Sequence, residues 1–372
     1  MHTSHPRRWW LICGLLLLAG TAVFARPIDE PPSKGELALM PQLPDVPGEL
    51  PANGLRYWQT PFRSIDAAGA YVSVSIRDGV YELWCNDATG DPTLPASTNH
   101  INVCRGPAID QLGPRQIVLD TSIVNDVFDP KSPGTLAFAR LYTRTFVTYD
   151  AKTGYVLFAC VPPTYAPASV PMLPTLTVSP TGTLGSWTYK GKLTGEPLDE
   201  AAKRNIWCDG GSLIHLPNGH WRAYVNGFGT AMACLEADTL DGPWRFVRTP
   251  DGKIREMLTD FPNTGRYGGC FPTVLRVSNK EWHAWISDTW PPQAIWHFCS
   301  KDGVSWHRYG QQPEITRAAF GGHAIKCLRV YLDPKSKQII GLLSVMNYVR
   351  EGQEDWLLHV SALPTGLRKA GK

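Results

Sequence analysis

The chain has 372 residues, among them 34 Gly, 32 Pro and 14 Trp, and only 19% of it is charged. Gly and Pro at about 18%, against a usual ~12%, exclude a coiled coil or helical bundle, and a hydrophobic content of 43% excludes a disordered chain. A formal net charge of +3 with no Lys/Arg run gives no footprint for DNA or RNA, so no nucleic-acid partner is expected.

Residues 1–25 read as a signal peptide. His5-Pro6-Arg7-Arg8 is a basic start, Trp9 to Gly20 is apolar, and Val23-Phe24-Ala25 carries small residues at the −3 and −1 positions of a cleavage site. The apolar run of about 17 residues is short for a membrane span, so the expectation is cleavage after Ala25, export to the periplasm or the extracellular space, and no membrane contact afterwards. The cleaved chain loses Arg7 and Arg8 and carries +1. Eight cysteines remain after Cys13 is removed, and an even count in an exported chain raises the expectation of disulfides.

Residues 26–52 hold seven prolines (27, 31, 32, 41, 44, 47 and 51) without a hydrophobic period, which reads as an extended tether. From residue 53 to 363 one pattern recurs: a strand, a tight turn, and a second strand rich in aromatics. The hairpins are Tyr71 to Cys85 about Asp78-Gly79, Thr145 to Cys160 about Asp150–Gly154, Ser212 to Val225 about Asn218-Gly219, Thr273 to Ile286 about Asn279-Lys280, and Cys327 to Leu343 about Pro334–Lys337. A third strand follows each, ending at Cys104, Ser179, Cys234, Cys299 and Ser361, in steps of 75, 55, 65 and 62 residues. Trp187, Trp244 and Trp306 follow Gly turns beyond these strands and read as packing residues.

Five repeats of this kind predict an all-β fold, a single five-bladed β-propeller, with Leu55 to Ile65 supplying the strand that closes the ring and 364–372 a C-terminal tail. The proline-rich excursion Pro162 to Pro174 leaves room for a sixth blade. Cys104, Cys234 and Cys299 hold one equivalent position in different blades and are too far apart to pair; Cys85 with Cys104 is the best candidate bridge. No Cys/His cluster has zinc spacing, so no metal ligands are assigned.

Sites in a propeller gather at one mouth of the central funnel, where each innermost strand begins and each second strand ends. Before the first strands stand Asp66, Asp209, Cys270 and His323. After the second strands stand Asn86-Asp87, Asn226, Asp288 and Asn347. Asp87, Asn226, Asp288 and His323 are the substrate-binding candidates. Each also has a plain structural reading: Asp209 beside Gly210-Gly211 caps a turn, and His323 is a satisfied funnel histidine.

Phe320-Gly321-Gly322-His323-Ala324-Ile325, followed by Asp333-Pro334 and Leu342 to Tyr348, resembles the last-blade motif of the five-bladed arabinanase/xylosidase-type glycoside hydrolases, family 43 of clan F. Asp209-Gly210 opening Ser212 to Gly219 is similar to the middle-blade motif of that family, and Asp66 lies 143 residues earlier, about two blades. The resemblance implies a carbohydrate substrate, Asp66 as general base, Asp209 as the carboxylate that tunes the acid, and His323 near the funnel centre beside a structural cation, with no cofactor required. Hydrolysis needs one protonated carboxyl on the leaving oxygen and one ionised carboxylate on the attacking water. The sequence departs from the pattern at the acid. Where the family carries Glu in a Glu-Gly-Pro context, this chain reads Tyr267-Gly268-Gly269-Cys270-Phe271-Pro272-Thr273, without a carboxylate. Glu256 and Asp260 lie just upstream, and Glu351 and Glu354 follow the last hairpin.

The leading expectation is an exported, monomeric glycoside hydrolase acting on arabinosyl, xylosyl or related glycosides. The first alternative is a carbohydrate-binding propeller that has lost the acid. The second is a sialidase-like propeller: Ser300-Lys301-Asp302-Gly303 with Trp306 resembles the Asp-box turn, but Arg140, Arg144, Arg204, Arg222 and Arg266 do not single out a carboxylate-binding triad.

Overall fold

The computed structural model describes residues 58, 63–68, 72–87, 100–119, 143–161, 173–203, 210–259, 261, 270–288, 294–310, 312–320, 324–350 and 353–363. The expected signal peptide, tether and C-terminal tail lie outside these residues.

After a first strand, β1 (Arg63–Ala68), the chain builds five antiparallel sheets. Blade one is β2 (Val72–Arg77), β3 (Val80–Asp87), β4 (His100–Gly106) and β5 (Gln116–Leu119). Blade two is β6 (Thr143–Asp150), β7 (Gly154–Val161), β8 (Leu173–Ser179) and β9 (Thr188–Lys192). Helix α1 (Glu196–Lys203) leads to blade three, β10 (Gly211–His215), β11 (Trp221–Gly227), β12 (Thr230–Ala237) and β13 (Arg245–Phe246). Blade four is β14 (Cys270–Ser278), β15 (Glu281–Ser287), β16 (Ala294–Ser300), β17 (Trp306–Arg308) and the short β18 (Ile315–Thr316), which also pairs with β16. Blade five is β19 (Ala324–Leu332), β20 (Ile339–Arg350) and β21 (Gln353–Leu363), and its fourth strand is β1. The sheets form the expected five-bladed propeller. The closing strand is Arg63–Ala68, overlapping only the end of the expected Leu55–Ile65.

Each hairpin has a local cause. Asp78 (φ 52°) and Gly79 (φ 79°) both take positive φ between the paired residues Arg77 and Val80, the backbone of a type I′ turn. The strands read as nearly continuous apolar runs because both faces of a blade are covered. Among the described residues five apolar clusters occur, one between each pair of neighbouring blades around the ring. Trp187, Trp244 and Trp306 are buried in these interfaces, as expected.

A polar device repeats over the apolar one. The turn between the third and fourth strands of a blade docks on the preceding blade. Arg105 donates to the carbonyl of Gly182 at 3.4 Å, Thr194 to that of Asp241 at 3.0 Å, and Lys335 to that of Pro107 at 2.7 Å. At the interface of blades three and four, Arg222 donates to the Asp302 carbonyl at 2.7 Å and the Tyr224 hydroxyl to that of Gly303 at 2.9 Å. Only glycine fits at 303: its φ is +75°, and a Cβ there would lie 2.7 Å from the Tyr224 hydroxyl and 2.8 Å from Arg222. Blades four and five meet differently, because β21 and β1 are not consecutive and no such turn joins them. There the buried Glu314 accepts the Trp285 indole N–H at 2.8 Å and stands 2.8 Å from His297, whose ring is stacked between Trp285 and Tyr309.

The expected Cys85–Cys104 bridge does not form; both side chains are buried thiols outside any disulfide. The register explains it: Cys85 pairs with Asn102 and Cys104 with Leu83, so the two cysteines are diagonal across β3 and β4 rather than opposite. Diagonal neighbours are about 7–8 Å apart, beyond comfortable disulfide reach. Cys234, Cys299 and Cys327 form no disulfide either.

The turn at Asp302 makes folding sensitive to acid. Burial raises its carboxyl, but the amides of Ser305 and Val304, both at 2.7 Å, and the Ser300 hydroxyl at 2.9 Å outweigh that and hold it at about 2. A carboxyl held below its unfolded value stabilises fully above that value, and the stabilisation is lost as pH falls through the folded one. We expect Asp302→Asn to melt below the wild type at pH 6, and the gap to close as pH falls from about 4 to about 2. A gap independent of pH in thermal melts contradicts this role.

Candidate functional site

The mouth is the end of the ring where β2, β6, β10, β14 and β19 begin and where the second strands end. Small hydroxyl side chains stitch the innermost strands together beneath it. Ser73 accepts the Val147 amide at 2.8 Å, joining blades one and two. Ser212 donates to the Pro272 carbonyl at 3.1 Å and accepts the Val274 amide at 3.0 Å, joining blades three and four. Ser73, Thr145, Ser212 and Thr273 are all buried.

One charge stands among them. Arg329, from the middle of β19, is 2% exposed. Its Nη1 donates to Thr273 Oγ1 at 2.7 Å and to the Pro272 carbonyl at 3.2 Å, and its guanidinium lies 5.5 Å from the centre of the Phe146 ring. Thr273 belongs to blade four, a neighbour of blade five. Phe146 belongs to blade two, which is not. The side chain therefore reaches across the axis of the ring.

Two aromatic residues at the mouth hold left-handed backbone. Phe271 (φ 56°), 1% exposed, forms a bulge in β14 between Cys270 and Thr273. Phe228 (φ 55°) joins β11 to β12 between Gly227 (φ 107°) and Gly229 (φ 79°), with its ring 4.8 Å from Phe246. A bulky residue at positive φ costs of order 1–3 kcal/mol and persists only where the surroundings hold it. Phe271 lies in the stretch where the family resemblance calls for Glu-Gly-Pro, so here a buried phenylalanine takes a conformation that glycine adopts freely.

The sequence candidates divide sharply. Asp209 and His323 lie outside the described residues, immediately before Gly210 and before β19. Asp66 lies in β1, in a register shift between Ser64 and Ala68, and Asp87 ends β3; the side chains of both are outside the described residues. Asp66 thus belongs to the outermost strand of the closing blade rather than to the entry of blade one. Asn226, in β11, is buried at 4% exposure. Asp288, at 1% exposure, closes the end of β15: its amide donates to the Ala294 carbonyl and its Oδ1 accepts the Ala294 amide, both at 3.1 Å. Burial lowers the pKa of Arg317, and the nearby charge of Asp288 opposes this.

Glu256 turns its carboxylate to the backbone. Oε2 accepts the Ala231 amide at 2.5 Å, and Oε1 accepts those of Met232 at 3.1 Å and Leu258 at 2.9 Å. Burial pushes its carboxyl above the ordinary value against the pull of these amides. With both oxygens already serving as acceptors, the side chain anchors the loop before β14 to the start of β12. Arg329 and the backbone of Phe271 had no place among the sequence candidates. The one visible signal was a lone charge in the apolar strand Cys327 to Leu332.

No protein-family model and no curated protein matches the chain. Solved structures do. A thermostable family-43 glycoside hydrolase superimposes with a TM-score of 0.56 at 11% identity, over 80% of this chain and 91% of that one. A putative exo-β-1,3-galactanase from Bifidobacterium bifidum s17 gives 0.54 at 13% identity, over 80% and 90%. The catalytic domain of the Coprinopsis cinerea GH62 α-L-arabinofuranosidase gives 0.53 at 12% identity, over 83% and 97%. At these identities the likeness is one of fold: this chain shares the propeller of glycoside hydrolases.

Glu256→Gln turns an amide nitrogen toward backbone N–H donors. We expect a loss of about 1–3 kcal/mol in denaturant unfolding, with any glycosidase kcat of the folded protein unchanged. Loss of kcat at full stability would make Glu256 a catalytic residue instead.

Proposed function

We propose that the chain is an exported carbohydrate-active propeller that hydrolyses arabinosyl, xylosyl or related glycosides at the mouth of its funnel. Chain adjacency supports this reading most. Gly210 precedes blade three and Ala324 opens blade five at the same end of the ring, and in the sequence Asp209 and His323 stand one residue before them. The structures sharing the fold are glycoside hydrolases. In the proposed mechanism Asp209 sets the protonation of the acid and His323, with Asp87, Asn226 and Asp288, borders the sugar, while the role of base falls to Asp66 by the family resemblance alone, since β1 is the outermost strand of its blade. The acid itself has no assigned residue. The substrate is the only partner in this reading, and the protein acts as a monomer after loss of residues 1–25.

A second reading has a specific observation behind it. The stretch 267–273 holds no carboxylate, and the oxygens of Glu256 are bound to backbone amides. A propeller that binds glycans without cleaving them fits this. The sialidase alternative gains nothing, because the Ser300–Trp306 turn is occupied in joining blades three and four.

In the hydrolase reading Asp209→Asn abolishes release of nitrophenol from aryl arabinofuranosides and xylosides and leaves the melting curve unchanged. Full activity of the variant overturns it. No turnover by the wild type on a broad glycoside panel, with calorimetric binding of a glycan, selects the second reading.

A further inference from the structure

Two buried histidines on the face of blade four that meets blade five take no part in the proposed hydrolysis. His283 of β15 and His297 of β16 are each 6% exposed, and Nδ1 of His283 lies 2.9 Å from Nε2 of His297. A carboxylate stands at the far side of each ring. Nε2 of His283 is 3.2 Å from Glu281 Oε1, and Nδ1 of His297 is 2.8 Å from Glu314 Oε2, which also accepts the Trp285 indole N–H. Stacking between Trp285 and Tyr309, each at 4.4 Å between centroids, fixes the plane of the His297 ring.

This geometry fixes the number of protons. A nitrogen lone pair is repelled by a carboxylate at such distances, so both outer nitrogens carry protons. The gap between the rings takes one proton more and not two, because two N–H groups cannot face each other at 2.9 Å. Three protons on two rings are one more than a pair of neutral imidazoles holds. The pair therefore titrates as a unit that resists both the loss of this proton and the entry of another. The other titratable groups near it are Tyr309, Cys299 opposite His283, and His307 opposite Cys299. Blade five meets this face with the apolar Leu328 and Leu343, and His359 holds the position in β21 opposite Leu343.

We propose that this cluster is a proton-sensing clasp: one proton shared by His283 and His297 ties β15, β16 and the segment before β18 into the face on which blade five packs, and either its loss or a second proton loosens that face. The unfolded chain leaves both rings neutral at high pH and charges both at low pH, whereas the folded pair keeps one charge. Above the ordinary histidine range the folded state binds one proton more than the unfolded, so stability falls as pH rises. Below that range it binds one fewer, so stability falls as pH falls. The contribution of the pair is a dome centred at about pH 6.5, with the unfolding constant changing by up to about tenfold per pH unit on either flank.

The test is urea unfolding of the full mature chain from about pH 5 to 8, where histidine changes charge. Wild type is compared with His283→Asn, whose side-chain amide replaces Nδ1 and does not titrate. The ratio of their unfolding constants is expected to trace the dome, with the variant at its greatest disadvantage near the centre. His307→Asn and His359→Asn keep the wild-type dome. A ratio independent of pH overturns the clasp, and so does a dome that disappears in either of these two variants. If His283→Asn does not fold, the wild type decides alone. Its histidine 15N spectra at neutral pH are expected to show a coupling between the two ring nitrogens across the shared proton, and the absence of that coupling overturns the proposal.

Discussion

The structure depends on the pairing of β1 with β21. Arg63 lies opposite Val360 and Ser64 opposite His359, so a strand from the start of the described chain completes the last blade. Closing so long a loop carries an entropic cost that grows only logarithmically with its length. In return no sheet is left with an unfinished edge at the seam, and the fifth interface, between Tyr331 and Leu342 of blade five and Val72, Tyr81 and Leu83 of blade one, is brought together. Once the ring is closed, every blade is covered on both faces. That is why β15 and β16 are almost uninterrupted runs of buried residues and why so many tryptophans are enclosed.

Closure also explains the one interface built differently. Turns between third and fourth strands lock four interfaces, their carbonyls accepting hydrogen bonds from side chains of the preceding blade. Blade five takes its fourth strand from the other end of the chain and has no such turn. The boundary of blades four and five instead carries Glu314, His297 and Trp285, a polar cluster enclosed among Ile295, Ile315, Phe320 and Leu328. At the centre serine and threonine hydroxyls of the innermost strands bond to neighbouring backbone, and among them the guanidinium of Arg329 lies between Thr273 of blade four and the Phe146 ring of blade two.

Much of this architecture was legible in the residues because it has local causes. Asp78-Gly79 and Asn218-Gly219 dictate turns, the flanking strands announce themselves by apolar runs, and Gly303 before Trp306 marks the docked turn. Pairings across the ring have no local cause. The closing strand is shifted toward the C-terminus of the expected Leu55–Ile65 and overlaps only its end, since its partner is β21 and nothing nearby specifies it. Helix α1 was missed, although Glu196-Pro197 with Asp199 in the first turn is a helix start; its anchor is distant, Glu196 accepting the Phe246 amide at 2.9 Å. The Cys85–Cys104 expectation failed by a two-residue register offset that spacing cannot reveal. The site was less legible still. Asp209 and His323 were recognised by motif, whereas Arg329 gains its meaning only from Phe146 and Thr273, which reach it from other blades.

Hydrogen exchange followed by mass spectrometry tests ring closure most directly. If β1 seals the propeller, peptides covering 63–68 and 353–363 are protected as strongly as those from β11 and β15 and open only with the whole domain. Rapid exchange across 63–68 while β11 and β15 stay protected contradicts the closed ring.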